Sequence, residues 1–224
     1  MKNVSNNKKM EDVFREVYEN KKWGLHTPTK TISGSGSIPI KSLPWYDFLT
    51  NFCAKNNIKS VVDLGCGDFV NSKYWLDEYT LNNQSIEYIG VDIYQPLIDQ
   101  LKEMYTQSFI TMNGFTDRDK LPTADILISK DVMQHWPNFA VMEFIDWVIE
   151  CKYYKAIIIC NTCMQSSDWD DTDYDGPTGR TGRGLDCEKF PLKKYPFQKV
   201  LEWDPTTRKR FKQISYLSLD SSIT

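Results

Sequence analysis

The run Val61-Val62-Asp63-Leu64-Gly65-Cys66-Gly67-Asp68 constrains the fold more than any other part of the chain. Lys59, Ser60, Val61 and Val62 lead into Leu64 as a β-branched approach, the pattern of a central strand covered on both faces. Gly65 and Gly67 remove side chains where the chain must turn, so that backbone N–H groups can come close to a ligand. A second strand at Tyr88-Ile89-Gly90-Val91 ends in Asp92, 25 positions after Gly67. A carboxylate at that distance suits the two hydroxyls of a ribose.

Two departures narrow the ligand. Val70 stands where a G-x-G-x-x-G motif needs its third glycine, which disfavours a dinucleotide pyrophosphate and with it a nicotinamide dehydrogenase. Asp68 adds negative charge where a phosphate would want none. With Asp63, Gly65, Gly67 and Asp92 in place, the chain resembles the class I S-adenosylmethionine-dependent methyltransferases, whose first motif is D-x-G-x-G and whose second strand ends in an acidic residue. The cofactor this implies is S-adenosyl-L-methionine, which has a sulfonium, an ammonium, a carboxylate and a ribose but no phosphate. Around it the resemblance places Cys66 and Ile93 beside the glycine turn and the acidic strand end, with Asn113, Gly114 and Phe115 after the third strand at the adenine. An adenine-reading amide and an Asn-Gly turn are both open for Asn113.

Length and composition fit one domain. With 224 residues, 41% hydrophobic and 25% charged, the chain can bury about 70% of its unfolded surface around a single core. No apolar run approaches the roughly 20 residues that span a bilayer, and the N-terminus lacks the apolar stretch of a signal peptide, so a cytoplasmic protein is expected. The six scattered cysteines read as reduced thiols, and Cys160-x-x-Cys163 has no second pair with which to hold zinc. A net charge of −3 gives no general attraction to nucleic acid. The basic cluster Arg208-Lys209-Arg210 with Lys212 reads as a solvated edge.

Strand and helix patterns alternate after an irregular arm. Helices are expected over Met10 to Lys21, Asp47 to Lys55, Ser72 to Glu78 and Pro96 to Met104, and from about Phe139 to Glu150 with Asn138 as its cap. Further strands are expected at Phe109–Met112, Ala124–Ser129, Ala156–Cys160, Lys199–Trp203 and Phe211–Leu217. The division is an N-terminal arm, residues 1–46, and a core, residues 47–224, within a single domain. The fold class is α/β: a Rossmann-like, seven-stranded, mostly parallel sheet with helices on both faces and a C-terminal antiparallel hairpin, as the methyltransferase resemblance also implies.

A second constellation, Ser129-Lys130-Asp131-Val132-Met133-Gln134-His135-Trp136, lies where the fourth strand leaves the sheet. Ligands of open α/β sheets bind outside the carboxyl ends of the strands. Methyl transfer to a hydroxyl needs a base within about 3 Å of the acceptor. His135 is the first choice for that base, and Asp131 can orient it, act as the base itself or hold the acceptor. Lys130 is grouped with the cofactor contacts, while a solvated position and an acceptor oxygen are also open to it, and Trp136 is placed on the acceptor side.

Two flanking segments complete the site. Trp23-Gly24 and the run Ser33-Gly34-Ser35-Gly36-Ser37 read either as a linker or, by resemblance to small bacterial and large-virus methyltransferases of glycan synthesis, as an arm folded over the cofactor. Under that resemblance Trp23, Ser33, Gly34 and Ser35 meet the cofactor. Asp168-Trp169-Asp170-Asp171-Thr172-Asp173-Tyr174-Asp175-Gly176 combines carboxylates with aromatics, a composition suited to a carbohydrate, and departs from a calcium-binding EF-hand because Gly182 stands where its last ligand should be. Asp168, Trp169, Tyr174 and Arg183 are the expected acceptor contacts; a divalent metal is left open and none is assigned. The expected function is methylation of a sugar hydroxyl in glycan assembly. A small-molecule or protein methyltransferase and a non-catalytic cofactor-binding module are the alternatives.

Overall fold

The computed structural model describes residues 10–24, 31–82, 84–164, 184–204 and 210–223. Strands β1 (Ser60–Leu64), β2 (Glu87–Asp92), β3 (Ser108–Thr111), β4 (Ile126–Lys130), β5 (Ala156–Met164), β6 (Gln198–Trp203) and β7 (Arg210–Ser218) form one sheet in the order β3-β2-β1-β4-β5-β7-β6. β1 to β5 pair in parallel, whereas β7 runs antiparallel to both β5 and β6. The strand order reverses between β1 and β4, the place where open α/β sheets leave a crevice at their carboxyl ends.

Both faces of the sheet are covered. α2 (Leu43–Lys55), α3 (Val70–Leu81) and α4 (Gln95–Met104) pack on one face through Leu49, Trp75 and Ile98, and α5 (Asn138–Cys151) packs on the other through Val141, Phe144 and Val148. Alternation along the strands divides the two cores: Val61 and Ile128 point to the first, Val62 and Leu127 to the second. At the opposite end from the crevice, the Asp125 carboxylate accepts the Lys59 N–H at 2.6 Å and pairs with Lys155, fixing the entry to β1.

Several boundaries differ from the sequence expectation. α2 begins at Leu43, with Pro44 inside its first turn, so Trp45 and Tyr46 belong to the core rather than to the arm. Asn138 is not the cap of α5. Pro137 takes that position with extended backbone, its carbonyl accepts the Val141 N–H, and Asn138 falls in the first turn, buried. Nor is the basic cluster wholly a solvated edge, because Lys212 is buried within β7; residues 208 and 209 lie outside the described residues.

The N-terminal helix α1 (Met10–Glu19) carries charged residues, yet Phe14, Val17 and Tyr18 are buried. Their spacing makes one apolar stripe, which lies over the carboxyl end of the sheet beside the ring of Tyr94. Among the described residues no helix is long and apolar enough to cross a membrane.

Candidate functional site

The glycine turn after β1 has the geometry its composition demands. Gly65 and Gly67 have φ of +79° and +57°, and a Cβ on either would lie 2.2 Å from Val132 Cγ2 or 2.5 Å from Ser33 Oγ. Backbone shape and lack of space therefore both exclude a side chain. Beside the turn, Asp92 Oδ2 accepts the Gly67 N–H at 3.0 Å and Oδ1 accepts the Tyr94 N–H at 3.1 Å. Burial pushes the Asp92 carboxyl up to about 6, against the opposing pull of these backbone donors. Asp63 is raised as well by burial, with hydrogen bonds from Ser72 Oγ (2.5 Å) and Tyr88 OH (2.6 Å) partly offsetting it.

A cavity opens above this turn at the β1/β4 crevice. Asp63, Gly65, Cys66, Gly67, Asp92 and Ile93 form its floor. Asn113 and Gly114 border it after β3, and Lys130, Asp131, His135 and Trp136 after β4. Met10, Phe14 and Tyr18 of α1 close it from above, and none of these three was expected in the site. Their signal was present in the sequence as the one-faced apolar spacing of a short helix, masked by its charges.

The N-terminal arm is docked on the glycine turn rather than hanging as a linker. Asp68 Oδ2 accepts the Thr31 hydroxyl at 2.6 Å and the Ile32 N–H at 2.7 Å, and Ser33 Oγ accepts the Asp68 N–H at 2.9 Å. Further along, Lys130 Nζ donates to the Gly36 carbonyl at 2.6 Å, and Asn71 donates to Ser42 Oγ at 2.9 Å. Asp68, read in the sequence only as a charge unfriendly to phosphate, is thus the anchor of the arm. Trp23 and Ser33 line the cavity; Gly34 and Ser35 lie instead on a second cavity next to it.

After β4, Asp131 sits at φ +60°, and its carboxylate is clamped by two ammoniums. Lys130 Nζ donates to Oδ2 at 2.9 Å and Lys212 Nζ donates to Oδ1, while the Thr162 hydroxyl stands 3.5 Å from Oδ1. Burial alone would raise this carboxyl; the two lysines outweigh it and hold it well below the usual carboxylate range. Lys212 comes from β7, 81 positions away, and only the sheet register brings it here. His135 ends a short 3-10 turn, Met133–His135, with its ring 5.9 Å from Phe14 and 5.7 Å from Trp23, facing both cavities.

Other expected residues have local structural duties. The Asn113 carbonyl oxygen accepts the Phe115 N–H at 3.0 Å, the turn reading, and its amide donates to Glu11 of α1 at 2.5 Å. Phe115 is not in the cavity wall; its ring meets those of Trp136 and Phe139. Trp136 borders the cavity but is chiefly a core ring, edge-on to Phe144 at 5.3 Å. Asp168, Trp169, Tyr174 and Arg183 lie outside the described residues, as does the whole acidic loop. Among the described residues no group of three His, Cys, Asp or Glu is arranged to hold a metal, and all six cysteines are free thiols.

No family model matches the chain, and no curated protein matches it by sequence. Solved structures do resemble it. Magnesium protoporphyrin IX methyltransferase from Synechocystis PCC 6803, with bound SAM, aligns at a TM-score of 0.58 and 14% identity over 95% of this chain and 98% of that one. Human N-acetylserotonin methyltransferase in complex with SAM aligns at 0.59 and 14% identity over 93% of this chain and 59% of that one. The bifunctional kinase-methyltransferase WbdD aligns at 0.53 and 14% identity, covering 80% of this chain and 40% of the other, so the chain spans well under half of that protein. At these identities the likeness establishes the fold: a Rossmann-like class I methyltransferase fold.

Proposed function

We propose that the chain is an S-adenosylmethionine-dependent methyltransferase acting on a small molecule. The observation that carries this is Asp92, whose buried carboxylate closes on the glycine turn at the floor of the crevice cavity. The donor set fits the cofactor. Two carboxylates, Asp63 and Asp92, face a cavity roofed by Phe14 and Tyr18, which suits a cationic sulfonium ligand with a ribose and a flat base. When bound, the cofactor supplies an electrophilic methyl group on a sulfonium.

The chain's own residues divide the remaining work. Asp92 accepts the ribose hydroxyls, and Gly65, Cys66 and Gly67 let the backbone approach. Ile93, Asn113 and Gly114 enclose the adenine side. Trp23, Ser33 and Lys130 close the other end, with the arm as part of the binding wall. His135 takes the acceptor's proton, because a neutral imidazole is matched to that task near neutral pH. Asp131 is a poor base, since the lysines that keep it ionised also make it reluctant to accept a proton; its part is to fix the two ammoniums and orient the acceptor.

The acceptors named for the structural neighbours are different small molecules, magnesium protoporphyrin IX in one and N-acetylserotonin in another, which favours a small-molecule acceptor here. A sugar hydroxyl is the narrower form of this proposal and rests on the composition of the loop at residues 168–176. The test is to incubate the protein with methyl-labelled S-adenosylmethionine and separate pools of small organic hydroxyl compounds, mono- and oligosaccharides, and peptides. Label in the small-molecule pools is expected; label confined to peptide would overturn the acceptor class.

A further inference from the structure

A second cavity adjoins the first across a wall that includes Trp23, Lys130, Asp131 and His135. Its lining brings together Lys41 of the arm, Lys130 of β4, and Arg210 and Lys212 of β7, against a single carboxylate among the described residues, Asp131. One carboxylate cannot neutralise the two ammoniums bound to it, so the Lys130–Asp131–Lys212 trio already carries surplus positive charge. Lys41 and Arg210 add two further cations, and among the described residues no other Asp or Glu is in the wall to meet them. The whole chain has a net charge of −3, so this concentration of positive charge is local to the cavity.

Its placement is built rather than incidental. Trp203 Nε1 of β6 donates to the Lys41 carbonyl at 3.1 Å, tying the arm to the hairpin that carries Arg210. A neutral ligand filling this space would cover cations without offering them a partner, which is costly. An anion would be drawn in by the field and held by charge-assisted hydrogen bonds, with the guanidinium offering a planar fork to carboxylate or phosphate.

We propose that this cavity is the acceptor site and that it takes an anionic small molecule, whose carboxylate or phosphate pairs with Arg210 and Lys41 while its nucleophilic hydroxyl lies at the shared wall beside His135. This rests on the methyl-transfer function proposed above. The acceptor oxygen forms a bond to the methyl carbon as the carbon–sulfur bond breaks, the hydroxyl proton passes to His135, and S-adenosylhomocysteine leaves as a neutral thioether.

Matched charged and neutral probes test this on the full chain: 3-hydroxybenzoate against 3-hydroxybenzamide, and glucose 6-phosphate against glucose. Binding is read by calorimetry with and without saturating S-adenosylhomocysteine, for wild type and for the Lys41→Gln/Arg210→Gln double variant. At least one charged probe is expected to bind roughly tenfold or more tightly than its neutral partner, with that preference lost in the double variant while S-adenosylhomocysteine affinity is kept. The benzoate and phosphate arms separate a carboxylate from a phosphate ligand. Equal binding of charged and neutral probes, with S-adenosylhomocysteine bound normally, would overturn the anionic site and leave the methyltransferase proposal standing. Failure of S-adenosylhomocysteine to bind, with charged probes still preferred, would do the reverse.

Discussion

Asp92 ends β2 and Asp131 follows β4, the two strands that flank β1, and both side chains face the same crevice, yet their environments push them in opposite directions. Among the described residues Asp92 accepts hydrogen bonds from backbone N–H groups and has no cationic partner, and burial raises its carboxyl to about 6. Asp131 is buried too, but two ammoniums more than compensate, and it stays ionised. The same residue type therefore makes two different environments, with the proposed ribose and sulfonium on one side of the crevice and the proposed anionic acceptor on the other. Charge partners, not burial, decide which.

The largest expected effect lies where the two sides meet. His135→Ala should lower turnover by roughly a hundredfold or more while cofactor affinity is kept, as measured by label transfer alongside calorimetry. Wild-type turnover would remove the link between the two halves. Lys212→Met should cost about 2 kcal/mol in urea unfolding at pH 7, because it leaves Asp131 buried with one ammonium instead of two. Since the Asp131 carboxyl is depressed in the folded state, its contribution is present above the unfolded value near 4 and is lost as pH falls below it. The gap between wild type and variant should therefore close in acid.

Asp92 should show the opposite linkage. Its raised carboxyl makes the ionised form costly to the free fold above about pH 6, so Asp92→Asn should stabilise the free protein at pH 8 but not at pH 4. Binding should depend on the ionised form: S-adenosylhomocysteine affinity is expected to fall about tenfold per pH unit below 6 and to be flat in Asp92→Asn. A pH-independent wild type would erase the contrast between the two aspartates. The smallest effect is at the arm, where Thr31→Val removes one of the hydrogen bonds to Asp68 and should loosen docking by about 1 kcal/mol, seen as faster amide exchange at Ile32 and Ser33.

The parts of this molecule that depend on local chemistry are legible in its sequence. The β-branched run before Gly65, the glycines themselves and the strand ending at Asp92 declare strand, turn and crevice, and the structure has them there. What is less legible is what arrives from far along the chain. Lys212 reads as part of a surface cluster until the antiparallel β5/β7 register sets it opposite Thr162 and against Asp131. α1 reads as a charged helix, and only the fold gives Phe14 and Tyr18 a cavity to cover. Asn138 looks like a cap by residue type, but Pro137, with no N–H to give, takes the place before the helix.

In the proposed function the crevice cavity over the glycine turn holds the cofactor, with Asp92 on its ribose. Calorimetric titration of the full chain with S-adenosylhomocysteine at pH 7.5 is the decisive measurement. Saturable one-site binding is predicted, weakened roughly tenfold or more by Asp92→Ala. Absence of binding at about 1 mM ligand, or equal affinity in wild type and Asp92→Ala, would contradict it.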